Sequence, residues 1–366
     1  MVLGSLDKSI TYPKSLYYSA KAYGFGYLPN GLVIEPGGWD DETNQWLASL
    51  FGFSYERILP NRGIDPDKVW GDYLKRIKNA LSQGSAVQVC RGWMGTREKG
   101  GQIRSHLGRL FWWEGLTKRN RPDMHYFTVV GIDRSNREIY FHDPIFGWFG
   151  TGKYVKCKEE LFRKTVERAP WQHRYITIIF KKTNRLPKGE KEIRALLKKR
   201  IIKKIKGDPS VYDSVEMWRS FFRLKRVKKS FAHGIKGLKL FKKDLQPERF
   251  KRILIFKMKK RNIMPVEVVS WLDLNIYHSS FIASISAEYL EARGKTMEWE
   301  WLFRLHLLYE KLRISSLKLR LLFKTTPDLY QAVEKSKPIL VQMRKTIDEM
   351  INHFQLYLIE NLNALH

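Results

Sequence analysis

His125 and Asp143 are the residues whose types and spacing could perform acid–base chemistry. They bracket the stretch HYFTVVGIDRSNREIYFHD, residues 125–143, which predicts a buried strand, a turn and a returning strand. At the same end of such a hairpin, the Asp143 carboxylate could hydrogen-bond one imidazole nitrogen and leave the other as a general base. The alternative interpretation is an ordinary strand-end histidine beside an Asp-Pro turn.

Cys90 is the cysteine that could complete this pair as a nucleophile. It follows the predicted strand Ala86–Val89 and precedes Arg91, and the chain order of Cys90, His125 and Asp143 matches nucleophile, base and orienting acid. Nearby arginines could stabilise a thiolate. The alternative is a small buried side chain at the end of a hydrophobic strand, and Cys157 is interpreted as an incidental surface or packing residue.

The number and spacing of the cysteines and histidines exclude several classes of protein. Two cysteines in 366 residues exclude a disulfide scaffold and a cysteine-rich zinc domain. The nine histidines form no His-x-x-x-His pair and no Cys/His cluster, so the sequence predicts no metal site and no cofactor.

The elements that must position these residues fall into two parts. Residues 1–182 alternate short strands and helices, among them a helix from Pro66 to about Gly84 and strands near 86–90, 126–132, 138–142 and 175–180. This pattern predicts an α+β domain with an antiparallel sheet. Residues 183–189 have the composition of a linker. Helical periodicity then continues through residues 190–366, which predicts an all-helical second domain.

The net charge of +30 is concentrated in one part of the chain. Residues 183–261 hold 27 basic and 7 acidic residues, a net of +20, whereas residues 262–366 hold 12 of each. Because exposed charges are screened over about 8 Å, this local clustering matters more than the total.

The basic segment 190–261 interleaves cations with aromatic residues. One interpretation is a solvated helical face; the others are nucleic-acid binding, binding to an acidic carrier protein, or contact with an anionic membrane surface. The predicted polyanion-binding residues are Arg219, Arg223, Lys225, Arg226, Lys228, Lys229, Lys251, Arg252, Lys259 and Lys260.

Several segments together resemble a known family. The histidine strand and Asp-Pro of residues 123–150, and the helix ending in LSQG before SAVQV, are similar to papain-like domains of bacteriocin-processing cysteine peptidases and of the butirosin biosynthesis protein H family. The helical half resembles the latter group through AHGIKGLKLFKKDL, with Gly234, Gly237, Leu238, Phe241 and Asp244, and through residues 279–294, where Ile282 replaces an expected arginine.

The resemblance implies a papain-like domain that transfers an acyl group to an amine, with an acyl carrier protein as possible donor, His125 as base and Asp143 as its partner. The family's nucleophilic cysteine lies early, at a helix start. The matching place here, residues 37–52, has Trp39, Asp40 or Asp41 instead. Asp41 could act as an acid or base, or the acidic residues could simply stabilise the helix start. The resulting expectations are an acyltransferase or hydrolase, or a catalytically inactive relative that binds a ligand or polyanion.

The beginning of the chain and its hydropathy lead to an expectation about location. The sequence MVLGSLDKSITYPKS does not resemble a signal peptide, and no apolar run approaches the roughly 18–20 residues that span a bilayer. We therefore expect a cytoplasmic protein, which could be peripheral to a membrane, and the sequence predicts no particular oligomer.

Overall fold

The protein was analysed as a computed structural model. The structure describes residues 2–34, 41–60, 66–92, 124–133, 135–142, 155–167, 174–184, 187–212, 231–261 and 263–362.

The described elements alternate in the first half and are mainly helical in the second. In chain order they are α1 (Val2–Leu6), α2 (Tyr12–Tyr18), β1 (Gly26–Leu28), β2 (Val33–Ile34), α3 (Asp41–Phe51), β3 (Phe53–Ile58), α4 (Pro66–Ser82), β4 (Ala86–Gly92), β5 (Met124–Asp133), β6 (Glu138–His142), β7 (Val155–Lys158), α5 (Glu159–Glu167), β8 (Thr177–Lys182), α6 (Glu190–Lys206), β9 (Ala232–His233), α7 (Gly234–Asp244), α8 (Pro247–Arg261), α9 (Pro265–Glu291), α10 (Thr296–Thr325) and α11 (Leu329–Leu362).

The chain divides into two compact units that do not follow a single cut in the sequence. Unit 1 consists of Met1–Thr11, Ala48–Pro187 and Glu216–Arg226. Unit 2 consists of Tyr12–Leu47, Lys188–Val215 and Val227–His366. One boundary falls inside the predicted linker 183–189, but residues 12–47, assigned from sequence to the first domain, pack in unit 2 because their strands pair there.

Unit 1 is built on a six-stranded antiparallel sheet in the order β3-β8-β4-β5-β6-β7. Its main core combines alternate residues of the strands, such as Val87, Val89 and Phe127, with one face of α4 and with Phe162 of α5. The helix α4 begins at Pro66 and is followed by Gly84 in a left-handed conformation, with φ of 70°. These are the start and stop residues expected for a helix.

Unit 2 is helical around a small second sheet. Strand β1 pairs antiparallel with β2 and with β9, and the long helix α10 packs against both α9 and α11. The start of α9 is fixed by Glu267, whose Oε2 accepts a hydrogen bond from the backbone nitrogen of Met264 at 3.0 Å.

The predicted fold class is confirmed at the level of an α+β chain with antiparallel sheets toward the N-terminus and helices toward the C-terminus. One correction concerns the all-helical second half, because β9 lies within it. A strand of two residues has no recognisable hydrophobic alternation, so only its distant partner β1 defines it. The predicted helix near residues 214–231 lies almost entirely outside the described residues.

Candidate functional site

Cys90, the predicted nucleophile, is fully buried in strand β4 of unit 1. Its register partner on β5 is Tyr126. The main core of the unit takes Val87 and Val89 from the same strand but not Cys90, as expected when alternate residues of a strand face opposite sides of the sheet. A thiol without exposed surface has the environment of a packing residue, whereas reactive cysteines are partly exposed.

Of His125 and Asp143, the predicted base and its orienting acid, the structure describes only the backbone of His125. The backbone of His125 pairs in register with Arg91, one position from the Cys90–Tyr126 pair. The side chain of His125 and the whole of Asp143 lie outside the described residues. The acid–base pair therefore stays a prediction, while the strands predicted to carry it are formed.

Asp41 begins helix α3, in the part of that helix that belongs to unit 2, whereas Cys90 and His125 belong to unit 1. The adjacent Glu42 forms a bidentate ion pair with Arg200 of α6, with Nη1–Oε1 and Nη2–Oε2 distances of 2.6 and 2.5 Å. The guanidinium also lies over the ring of Trp46, 4.7 Å from its centroid. This geometry gives the acidic helix start a structural role in joining α3 to α6.

Arg200 and Lys204 are two buried cations that sequence reasoning assigned only to a general basic segment. Both are nearly inaccessible, with 4% and 3% of their surface exposed. Lys204 donates to the carbonyl of Val211 at 2.7 Å and lies over the ring of Tyr212. Arg200 and Lys204 lie within the apolar stripe of α6, beside residues such as Leu197 and Ile201. This spacing could have indicated from the sequence that both side chains are buried.

The segment AHGIKGLKLFKKDL, on which part of the family resemblance depends, has a structural explanation. A Cβ at Gly234 would overlap the carbonyl oxygen of Ile205, and one at Gly237 would overlap that of Ala232. The Asp244 carboxylate, almost completely buried, accepts hydrogen bonds from Tyr27 Oη at 2.8 Å, the Asn30 backbone nitrogen at 2.6 Å and Arg249 Nε at 2.5 Å. Close backbone packing thus explains Gly234 and Gly237, and buried hydrogen bonds explain Asp244.

The basic face of α8 is the surface where described residues bring predicted polyanion-binding side chains together. We define it as Arg252, Phe256, Lys259 and Lys260, which are all exposed and follow one another at helical spacing. Among the residues that the structure describes, none of its three cations forms an ion pair. Lys251 lies beside this face with its ammonium 4.6 Å from the ring centroid of Tyr330. The other six predicted polyanion-binding residues, Arg219 to Lys229, lie outside the described residues.

Helix α7 carries a second row of the same kind. Lys236, Lys239 and Lys243 are exposed at spacings of three and four residues, and within the described chain none of them has a carboxylate partner. The cations of these two rows therefore have no carboxylate partner among the described residues.

A pocket of about 270 Å³ lies in unit 1, on the side of α4 and the neighbouring strands β3 and β8. Its lining includes Glu56, Arg76 and Lys181, and burial lowers the pKa of the Arg76 guanidinium. Neither Cys90 nor Cys157 lines this pocket, so it is separate from the predicted nucleophile.

Ser280, His306 and Glu310 of unit 2 have the residue types of a catalytic triad without its geometry. The Ser280 hydroxyl donates to Glu310 Oε1 at 2.5 Å and lies 3.2 Å from His306 Nδ1. In a triad the acid would bond the histidine and the serine would be accessible, whereas here Ser280 is 1% exposed. The cluster joins α9 to α10.

The described residues also place limits on metal and membrane chemistry. Within the described ranges, no group of three or more His, Cys, Asp or Glu side chains is arranged to hold a metal ion. In the same ranges, no helix combines the length and apolarity that crossing a bilayer requires.

No model of a known protein family matches the chain, and no curated protein matches it.

Proposed function

We propose that the protein binds anionic membrane surfaces peripherally, through the basic face of α8. The observation that carries the proposal is the combination, on one exposed helix face, of Arg252, Lys259 and Lys260 without carboxylate partners among the described residues and of Phe256 with 52% of its surface exposed. An interfacial helix needs both cations for the lipid headgroups and an apolar side chain that can enter the acyl boundary.

The charges on this face contribute part of the attraction to an anionic leaflet. Each Lys or Arg close to an anionic leaflet contributes about 1 kcal/mol of attraction. Three such residues contribute about 3 kcal/mol, and the lysine row of α7 would add to this attraction if it faces the same surface. Phe256 and Met264, which is 47% exposed just beyond the end of α8, offer apolar side chains that can enter the acyl boundary of a bilayer.

The test is co-sedimentation with vesicles of phosphatidylcholine containing about 30% phosphatidylserine, compared with phosphatidylcholine alone. We expect binding only to the anionic vesicles, with a steep loss as salt rises from roughly 50 to 500 mM. The triple variant Arg252→Glu, Lys259→Glu, Lys260→Glu should bind roughly 100-fold more weakly or worse.

A matched control keeps the same change in net charge. The variant Lys75→Glu, Lys335→Glu, Lys345→Glu replaces exposed lysines elsewhere and should keep most of the binding. Equal losses in the two variants would contradict a specific face. Tighter binding to an oligonucleotide than to vesicles, lost in the same triple variant, would replace the membrane proposal with nucleic-acid recognition.

A second candidate function is acyl transfer by unit 1, for which we propose a papain-like fold of the butirosin biosynthesis protein H type. The β4–β5 register, which sets the backbone of His125 one position from the Cys90 pair, supports it. Labelling by a thioester probe should then be lost in Cys90→Ser and retained in Cys157→Ser. Because both cysteines are buried, equal labelling or no labelling of the folded protein would contradict this candidate.

A further inference from the structure

The outward face of helix α10 carries a line of large apolar side chains that no described element covers. Their exposed fractions are 38% for Phe303, 44% for Leu307, 52% for Ile314, 36% for Leu317 and 51% for Leu321. We call these five residues the α10 seam. From Phe303 to Leu321 the seam extends for about 27 Å along a helix of 30 residues.

The spacing within the seam is that of a coiled-coil contact. Phe303, Leu307, position 310, Ile314, Leu317 and Leu321 follow one another by four, three, four, three and four residues. Alternation of four and three places side chains along one narrow line that faces a single partner helix. A helix that lies on a lipid surface has no need of this period, since its apolar side covers a broad arc.

The only acidic residue in the line is already neutralised inside unit 2. Glu310 accepts a hydrogen bond from Ser280 at 2.5 Å and forms an ion pair with Arg313 at 3.0 Å. It therefore presents no free negative charge to an incoming helix.

The flanks of the seam are cationic on both sides. Arg304, Lys311 and Lys318 follow one edge at intervals of seven residues, and Arg313 and Arg320 follow the other. Of these, Lys311 pairs with Glu349, and the two arginines pair with Glu310 and Asp273. Within the described chain, Arg304 and Lys318 have no ion-pair partner. Residues at these edges determine which helix can pair with the seam, because they meet the partner's flanking charges.

We propose that the α10 seam binds one amphipathic helix of a partner protein, with leucine-like residues along its contact line and carboxylates at its edges. In an antiparallel pair with a second copy of this chain, the unpaired Arg304 and Lys318 would face the same cations of the copy, whereas a partner with carboxylates at this edge would pair with them. This surface is distinct from the basic face of α8, and the proposal does not depend on membrane binding.

The test uses a synthetic helical peptide of about 28 residues with leucine at the contact positions and glutamate at both edges. Fluorescence anisotropy with the full chain should show saturable binding, and the same peptide with lysine edges should not bind. The variant Ile314→Glu, Leu321→Glu should weaken binding roughly tenfold or more. Its control is Leu59→Glu, Val341→Glu, which places the same charges on exposed apolar positions away from the seam and should leave binding unchanged.

A charge-reversal variant tests recognition without altering the apolar contact. The variant Arg304→Glu, Lys318→Glu breaks no ion pair of the described chain. It should bind the glutamate-edged peptide more weakly and the lysine-edged peptide more tightly than the wild type does. Retention of native circular dichroism in each variant shows that folding is intact. Equal binding of both peptides, or none, would overturn the proposal. The proposal would also be overturned if the full chain formed a dimer that Ile314→Glu, Leu321→Glu abolishes. It would likewise be overturned if this variant lost as much vesicle binding as the triple variant of the α8 face.

Discussion

At the scale of single residues, the Asp244 carboxylate contributes most visibly to unit 2. It is the shared acceptor for Tyr27, Asn30 and Arg249, and it also holds the pKa of the Tyr27 hydroxyl, already raised by burial, well above its usual range. Removing an acceptor from a buried cluster costs more than the hydrogen bonds themselves, because the remaining donors stay desolvated without a partner.

We expect Asp244→Ala to lower the free energy of unfolding by about 3–5 kcal/mol. Tyr27→Phe removes one donor and leaves the carboxylate with two, so it should cost about 1 kcal/mol. Urea denaturation of both variants measures the difference. Similar small losses in the two would show that Asp244 is not the organising residue of this cluster.

His353 gives unit 2 a dependence on pH. The side chain is 7% exposed, and burial lowers its pKa to about 4 from the ordinary value of 6.5. Between these two pH values the unfolded chain binds a proton that the folded chain does not, so stability is complete above about pH 6.5 and falls as the pH decreases toward 4. The slope is at most about 1.4 kcal/mol per pH unit for this residue.

The substitution His353→Gln removes the titrating group and retains an N–H for the carbonyl of Trp301, which His353 Nε2 contacts at 3.0 Å. Unfolding free energies at pH 7, 6 and 5 should therefore change less steeply in the variant than in the wild type. Burial also lowers the pKa of His278 to about 4, so part of the slope should remain. An unchanged slope would mean that His353 has the same pKa in the folded and the unfolded chain.

At the scale of elements, the start of α7 depends on an approach that only glycine permits. Gly234 has φ of 58°, and its N–H donates to the carbonyl of Phe25 at 2.7 Å. Because a Cβ here would overlap backbone atoms of Ile205 and Gly207, the neighbouring backbone would have to move. A positive φ alone costs a non-glycine residue only about 1–2 kcal/mol.

We therefore expect Gly234→Ala to destabilise the protein by more than about 3 kcal/mol, and Gly84→Ala by about 1 kcal/mol. Gly84 is the matched control, since its φ is 70° but nothing lies within 4 Å of an added Cβ. Comparing the thermal unfolding of the two variants separates the destabilisation caused by overlap of the added Cβ from the destabilisation caused by the positive φ. Equal shifts would show that the backbone near Ile205 can yield.

At the scale of the whole molecule, the sequence predicted what is local and missed what is distant. The helix ending before Gly84 and the β5–β6 hairpin were confirmed, because their turn residues and apolar periods lie within a few positions of each other. The β1-β2-β9 sheet was missed, because strands of two or three residues carry no period and β9 is distant in the chain from its partner β1.

The candidate site followed the same rule. The strands of Cys90 and His125 and the exposure of Arg252, Lys259 and Lys260 agree with the sequence interpretation. The burial of Arg200, which depends on Glu42 at a separation of 158 residues, could not be read from a run of basic residues. The apolar stripe of α6 could have indicated that Arg200 is buried, but not that Glu42 is its partner.

The pairing of β1 with β9 also determines the order in which the protein can fold during synthesis. Tyr27 leaves the ribosome long before Asp244, its hydrogen-bond partner 217 residues later. At about 5–20 residues per second, residues 12–47 wait roughly 10–40 seconds for their partners. During that interval, the aromatic and apolar side chains of β1 and β2 are without their native cover and available to chaperones or to aggregation, while the sheet of unit 1 can already assemble from the intervening chain.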